Sequence, residues 1–169
     1  MQGLQIWVNL PQKKKKVKPW YQHIKKNQIP KVSNNNNIEI KVLVGEVNGI
    51  KSKVQTYSPV SIFDIQFSNP DTISFKVDKK QNMMIYVIEG ELQFTNLNKI
   101  AAKGDMIFFD QSSNDISLTS ISKNGSYLVL AGEPLHEPVA RYGPFVTNTE
   151  GEIKQAMIDY EEGKMGTLY

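Results

Sequence analysis

From residue 38 onward, apolar and polar residues alternate in short runs: IEIKVLVGEV at 38–47, KSKVQTY at 51–57, VSIFDIQF at 60–67, TISFKV at 72–77 and MMIYVI at 83–88. The pattern continues with ELQFT at 91–95, MIFFD at 106–110, DISLTSI at 115–121 and SYLVLAG at 126–132. A period of two turns every second side chain to one face, so each run predicts a strand with one buried side. Gly, Asn, Pro and Asp separate the runs and no long helical pattern interrupts them. The chain is therefore expected to be all-β, a jelly roll or barrel, and parallel βαβ architecture is excluded.

Two flanking segments follow different patterns. At residues 5–9, Ile6 and Val8 alternate with Gln5, Trp7 and Asn9, predicting an N-terminal strand arm that Pro11 stops. Near the other end, Thr149 and Glu152 have capping-box spacing, and Ile153, Ala156, Met157 and Tyr160 share one helical face. Gly163 can close that helix in a left-handed cap. Its apolar stripe is too small to stand free, so the helix is expected to pack on the barrel. Three segments result: 1–37, the arm with a lysine- and asparagine-rich loop ending in SNNNN at 33–37; 38–132, the barrel; and 133–169, turns and helix.

Within the barrel, Glu89-Gly90-Glu91 and Lys103-Gly104-Asp105 sit between apolar runs, giving the order strand, turn, strand, turn, strand. Tight turns between twisted strands often need positive φ, which predicts that backbone at Gly90 and Gly104.

Composition changes the picture in three ways. A chain of 169 residues can bury a core without metal or disulfide staples. The absence of cysteine excludes disulfides, thiolate zinc sites and a cysteine nucleophile, and agrees with a reducing compartment. The net charge is only +3, but Lys13, Lys14, Lys15, Lys16, Lys18, Lys25, Lys26 and Lys31 fall in the first 31 residues. PQKKKKVKP at 11–19 has the composition of a nuclear-import signal or a phosphate-facing basic patch, and equally of a solvated loop. No RNP-like or helix-turn-helix pattern organises the flanking Trp7, Trp20 and Tyr21, so direct reading of a nucleic acid is not expected. With no secretory signal and no apolar run near the ~18 residues of a membrane span, the expectation is an intracellular protein of cytoplasm or nucleus.

Candidate chemistry is sparse. His23 and His136 are the only histidines. Glu89 and Glu91 flank a turn glycine, where solvation rather than acid–base work is expected. Asp64 is either an outward carboxylate or a lone acid among apolar neighbours. Glu133, Glu137 and Arg141 lie close enough in sequence for charge-assisted hydrogen bonds to clamp two turns. No catalytic set emerges.

GLQIWVNLP at 3–11, PWYQ at 19–22 and LAGEPLHEPVARYGPFVTNTEGEIKQAMIDY at 130–160 resemble the pirin family. The signature residues are Glu133, Pro134, Glu137, Pro138, Arg141, Tyr142, Gly143, Pro144 and Phe145. The strand–turn order around Gly90 and Gly104 likewise resembles a cupin core. Pirins are bicupins whose metal, usually iron, is held in the N-terminal barrel, so the resemblance implies that this chain corresponds to the C-terminal half. By cupin spacing, the ligand positions of this barrel fall near residues 76–79, at Asn82 or Met83, and near Asp115. None is a histidine, and no cofactor is expected here. The resemblance implies two roles: regulation through contact with transcription factors in nucleus and cytoplasm, or a share in quercetin dioxygenase-like chemistry with the metal half supplied elsewhere. A protein partner or self-association, including a homodimer through exchange of the arm, is expected from the apolar face that a separated half exposes.

Overall fold

The computed structural model describes residues 3–34, 37–94, 99–109 and 115–166. Two antiparallel sheets form the body. One runs in the order β1 (Lys31–Asn34), β2 (Ile38–Val44), β5 (Val60–Phe67), β12 (Gly125–Gly132), β7 (Asn82–Glu89), β10 (Met106–Phe109). The other runs β6 (Asp71–Lys76), β11 (Asp115–Ser120), β8 (Glu91–Phe94), β9 (Lys99–Ala102). A small ribbon, β3 (Glu46–Val47) with β4 (Ile50–Lys51), interrupts the passage from β2 to β5. Its turn is Asn48-Gly49, both at positive φ, the backbone that a two-residue hairpin favours.

Alternation places the inward residues in one core. Phe63, Ile65 and Phe67 of β5 meet Ile85 and Val87 of β7, Val129 of β12 and Leu118 of β11, all essentially buried. Phe63 and Phe75 join the two sheets edge to face at 6.3 Å. This is the expected all-β jelly roll, and seven of the nine runs coincide with a strand to within a residue or two over the described positions. The run at 38–47 is broken at Gly45 (φ 85°), where a Cβ would stand 2.8 Å from the Val60 carbonyl oxygen.

KSKVQTY is strand only as far as Lys51. Beyond it, Ser52 Oγ donates to the Leu43 carbonyl and accepts the Val54 N–H, a local alternative that hydroxyl side chains offer in place of a ladder. Gln22 serves as a surrogate strand edge for Gln55: its amide donates to the Gln55 carbonyl and accepts the Gln55 N–H, both at 2.9 Å. Trp20 Nε1 donates to the Tyr57 hydroxyl at 3.0 Å. Gly90 and Gly104 have the expected positive φ (83° and 95°). Only Gly90 is also sterically required, since a Cβ there would lie 2.5 Å from the Asn124 carbonyl oxygen.

The segment boundaries differ from those expected. The chain divides into two compact units, one from Trp20 to Pro134 and one combining the residues up to Pro19 with those from Leu135 onward. The expected arm of 1–37 is thus split: β1 and the Trp20–Gln22 anchor belong to the barrel unit, and the first residues to the other. Residues 3–11 form no strand. Leu4, Trp7 and Val8 are all exposed, so the alternation there has no face to bury and no sheet edge to join.

The terminal unit contains a 3₁₀ turn at Gln12–Lys14, a ribbon of β13 (Ala140–Tyr142) with β14 (Phe145–Thr147), and helix α1 (Glu150–Glu161). Gly143 takes φ 53° and Pro144 cannot follow it there, which selects a type II′ turn. Helix α1 begins at the expected capping box, with Thr149 Oγ1 accepting the Glu152 N–H and Glu152 accepting the Thr149 N–H. Gly163 has the expected left-handed φ of 72°. The helix packs on the ribbon, with Phe145 and Tyr160 edge to face at 6.0 Å.

Candidate functional site

A cupin metal site would lie at one end of the barrel, where β6 leaves the sheet and β7 and β11 begin. There Lys76 and Asp115, partners in the β6–β11 register, form an ion pair at 3.1 Å. Their side chains are 78% and 74% exposed, so both point away from the interior. Asn82 is exposed as well. The inward positions on these strands are Phe75, Val77, Met83, Ile85 and Ile116, which offer carbon and one soft thioether. An ammonium group repels a cation, and a thioether is a poor ligand for iron. This donor set does not fit an iron centre. Among the described residues no three His, Asp or Glu side chains converge. His23 and His136 are both exposed, and His136 adopts a left-handed φ of 52° between two prolines.

The other carboxylates have structural partners or solvent. Asp64 points outward and accepts from Lys41 Nζ at 2.9 Å, resolving the two readings of this residue. Glu89 and Glu91 are exposed at their turn. Behind that turn the barrel is closed by Tyr127, whose fully buried hydroxyl donates to the Glu91 carbonyl and shares a hydrogen bond with Ser120 Oγ, each at 2.8 Å. Burial pushes the Tyr127 phenol above its ordinary pKa, while the Ser120 hydrogen bond opposes that rise. Gly125 leaves room for the ring: a Cβ there would lie 2.4 Å from the Tyr127 oxygen.

The signature spans the boundary between the two units. Glu133 and Pro134 end the barrel unit, where the Glu133 N–H donates to the Pro59 carbonyl at 3.1 Å. In the terminal unit, Glu137 accepts the Gln12 N–H at 2.8 Å and the Asn148 amide at 3.3 Å. Asn148 also donates to the Pro138 carbonyl at 2.9 Å. Glu137 and Asn148 thereby tie the lysine segment, the proline turn and the helix start together. The expected clamp through Arg141 does not form: Arg141 is exposed and makes no ion pair among the described residues. It sits opposite Val146 on a narrow ribbon, which turns its side chain to solvent. Tyr142, Gly143 and Pro144 form the exposed ribbon tip, and Phe145 rests on the helix.

Glu152 is held below its ordinary pKa first by the Asn148 backbone N–H and then by the Thr149 hydrogen bonds, with burial opposing. Lys13, Lys14, Lys16 and Lys18 are exposed, whereas Lys15 folds back to Asn9 Oδ1. Asn148 was invisible to sequence reading; its place immediately before a capping threonine is the one available hint.

A shallow groove of about 550 Å³ runs between the ribbon and the helix, lined by residues that include Val139, Tyr142, Ile153 and Met157. Ile153 is the one buried apolar side chain of the terminal unit among the described residues. Leu4, Trp7, Val139, Tyr142, Ile158 and Tyr160 of this unit are 46–69% exposed. Among the described residues no helix is long and apolar enough to cross a membrane.

Comparison with known proteins agrees with this architecture. Residues 62–166 match the pirin C-terminal cupin domain. Pirin-like protein 2 of Arabidopsis thaliana is 36% identical over 97% of this chain and 53% of its own length. Human pirin is 36% identical over 97% of this chain and 57% of its own. The chain therefore spans a little over half the length of these relatives. A crystal structure of quercetin 2,3-dioxygenase from Acinetobacter baumannii superposes with a TM-score of 0.89 at 29% identity, covering 96% of this chain and 56% of that one. A domain match over most of the sequence, together with relatives matched along nearly all of it, establishes that the chain belongs to the pirin family.

Proposed function

We propose that this chain is a metal-free protein-interaction module of the pirin family, serving regulation in the nucleus and cytoplasm, and that its terminal unit is completed by a second copy of the chain. The observation that carries this reading is the contrast between that unit's single buried apolar side chain, Ile153, and its many exposed ones. So small a unit without a core of its own is marginal in water unless another surface covers it. A twofold-related copy presents the same patch to itself, the commonest way such a surface is closed.

Sedimentation equilibrium and metal analysis of the purified chain test the reading together. A dimer that dissociates in the Trp7→Glu/Tyr142→Glu variant, with no stoichiometric iron, copper or manganese, is the expected result. A monomer that binds no hydrophobic dye, or one equivalent of tightly held metal, contradicts it. The exposed lysines of 13–18 support nuclear entry, since an import receptor reads accessible ammonium groups. A reporter fusion should lose nuclear accumulation when Lys13, Lys14, Lys16 and Lys18 become alanine.

The likeness to a quercetin 2,3-dioxygenase favours a second reading, in which the chain forms part of an oxygenase whose metal-bearing half is a separate chain. Flavonol turnover that appears only when a metal-loaded N-terminal pirin half is added would establish it.

A further inference from the structure

The chain contains two Asn-Gly pairs, Asn48-Gly49 and Asn124-Gly125, and the fold treats them differently. A glycine after asparagine leaves the following backbone nitrogen unshielded by a side chain, so that nitrogen can reach the asparagine amide. Asn48-Gly49 is the two-residue turn of the β3–β4 ribbon, and both residues are exposed. Nothing crowds the turn, since a Cβ built on Gly49 would meet no atom within 4 Å. The ladder engages Val47 and Ile50, and the Asn48 side chain has no hydrogen-bond partner among the described residues. Both turn residues have positive φ, and Gly49 tolerates either sign, so the peptide between them can turn over without dismantling the hairpin. Strands of two residues each make the ribbon easy to open locally.

Asn124-Gly125 is the reverse case. Gly125 is buried at the start of β12, in register with Phe67, and a Cβ there would lie 2.4 Å from the Tyr127 hydroxyl oxygen. The Asn124 carbonyl oxygen is packed against Gly90, where a Cβ would approach it to 2.5 Å. That peptide has no room to turn.

We propose that Asn48 is a site of spontaneous deamidation, which leaves an isoaspartate in the β3–β4 turn. The Gly49 nitrogen, its proton passed to hydroxide, attacks the Asn48 side-chain carbonyl carbon; the new C–N bond closes a cyclic imide, the bond from that carbon to Nδ2 breaks, and the amide nitrogen leaves as ammonia. Water then opens the ring. Addition at the side-chain carbonyl gives aspartate, and addition at the main-chain carbonyl gives isoaspartate, whose chain runs on through the former side chain. Val47 is 2% exposed and stays anchored in the core, while the backbone between it and Ile50 gains a methylene. The Val47–Ile50 and Glu46–Lys51 pairings therefore lose their register, and a carboxylate replaces a neutral amide at the tip. The proposal is independent of the interaction reading above, because the ribbon belongs to the barrel unit.

The test incubates the full chain in mildly alkaline buffer and follows both pairs over time by peptide mass spectrometry, with electron-transfer fragmentation to tell isoaspartate from aspartate. Asn48 should convert roughly tenfold or more faster than Asn124, the ratio that a local opening cost of about 1.4 kcal/mol at Asn124 produces. In urea, where both pairs are unfolded, the two should convert at similar rates. Aged protein should show shifted amides at residues 46–51 with those of Ile85 and Val129 unchanged. The Asn48→Gln variant, whose longer side chain must close a larger ring, should show neither product nor shift. Because the two pairs are compared within one parent sample, the test stands even where that variant fails to fold. Equal conversion of both pairs in the folded chain, an intact Asn48, or aspartate without isoaspartate overturns the proposal.

Discussion

The barrel unit and the terminal unit are built on opposite economies of apolar surface. In the barrel, inward residues from both sheets form one continuous core, and even the polar Tyr127 is buried with its hydroxyl satisfied. The terminal unit relies on a capping box, a type II′ turn and the Glu137–Asn148 hydrogen bonds, with Ile153 as its only buried apolar side chain among the described residues. Polar bonds give it a defined shape; they do not cover its apolar groups. A well-filled core and a unit whose apolar side chains stay largely exposed therefore coexist in one chain.

The contrast predicts unequal responses to mutation. Phe63→Ala removes a ring that joins the two sheets and should cost about 3–5 kcal/mol in denaturant unfolding, enough to unfold a marginal domain. Tyr127→Phe removes the hydrogen bonds to Ser120 and to the Glu91 carbonyl, which keep the Ser122 carbonyl and the Ile121 N–H respectively, and should cost about 1–3 kcal/mol for the two bonds lost. The same tyrosine makes the barrel sensitive to alkali. Its phenol stays protonated in the fold above the ordinary value of 10.0, so the stability it contributes is full below that pH and is lost as pH rises beyond it. An unfolding series through the alkaline range should show this slope in the parent and lose it in Tyr127→Phe.

In the terminal unit the effects should be local and smaller. Thr149→Ala removes the helix cap and should cost about 1 kcal/mol, read as faster amide exchange in α1 with the barrel amides unaffected. Acid should act in the same place and more weakly. The folded-state pKa of Glu152 lies below its ordinary 4.5, so its contribution is present above that pH and is lost as pH falls through the lowered value. Loosening of α1 before the barrel on acidification, followed by exchange, would sharpen the comparison; simultaneous loss of both units would break it.

Sequence patterns exposed the barrel because a period of two is repeated in most strands and the buried faces are mainly apolar, with Ser61 and Ser120 as polar exceptions. They failed where the local sequence is ambiguous. β1 and β9 are four-residue strands with little buried surface, and KSKVQTY alternates yet has its backbone bonded by Ser52 and Gln22. Residues 5–9 show the reverse: alternation without a sheet to receive it. The α1 cap was legible at Thr149 and Glu152 because its partners lie three residues apart. The Glu137–Gln12 bond was not, since its ends lie 125 positions apart.

Hydrogen–deuterium exchange at two widely separated protein concentrations tests the central claim most directly. If a second copy completes the terminal unit, protection of residues 140–161 should rise with concentration while the amides of β5, β7 and β12 remain unchanged. Protection that is identical in both units at both concentrations would contradict it.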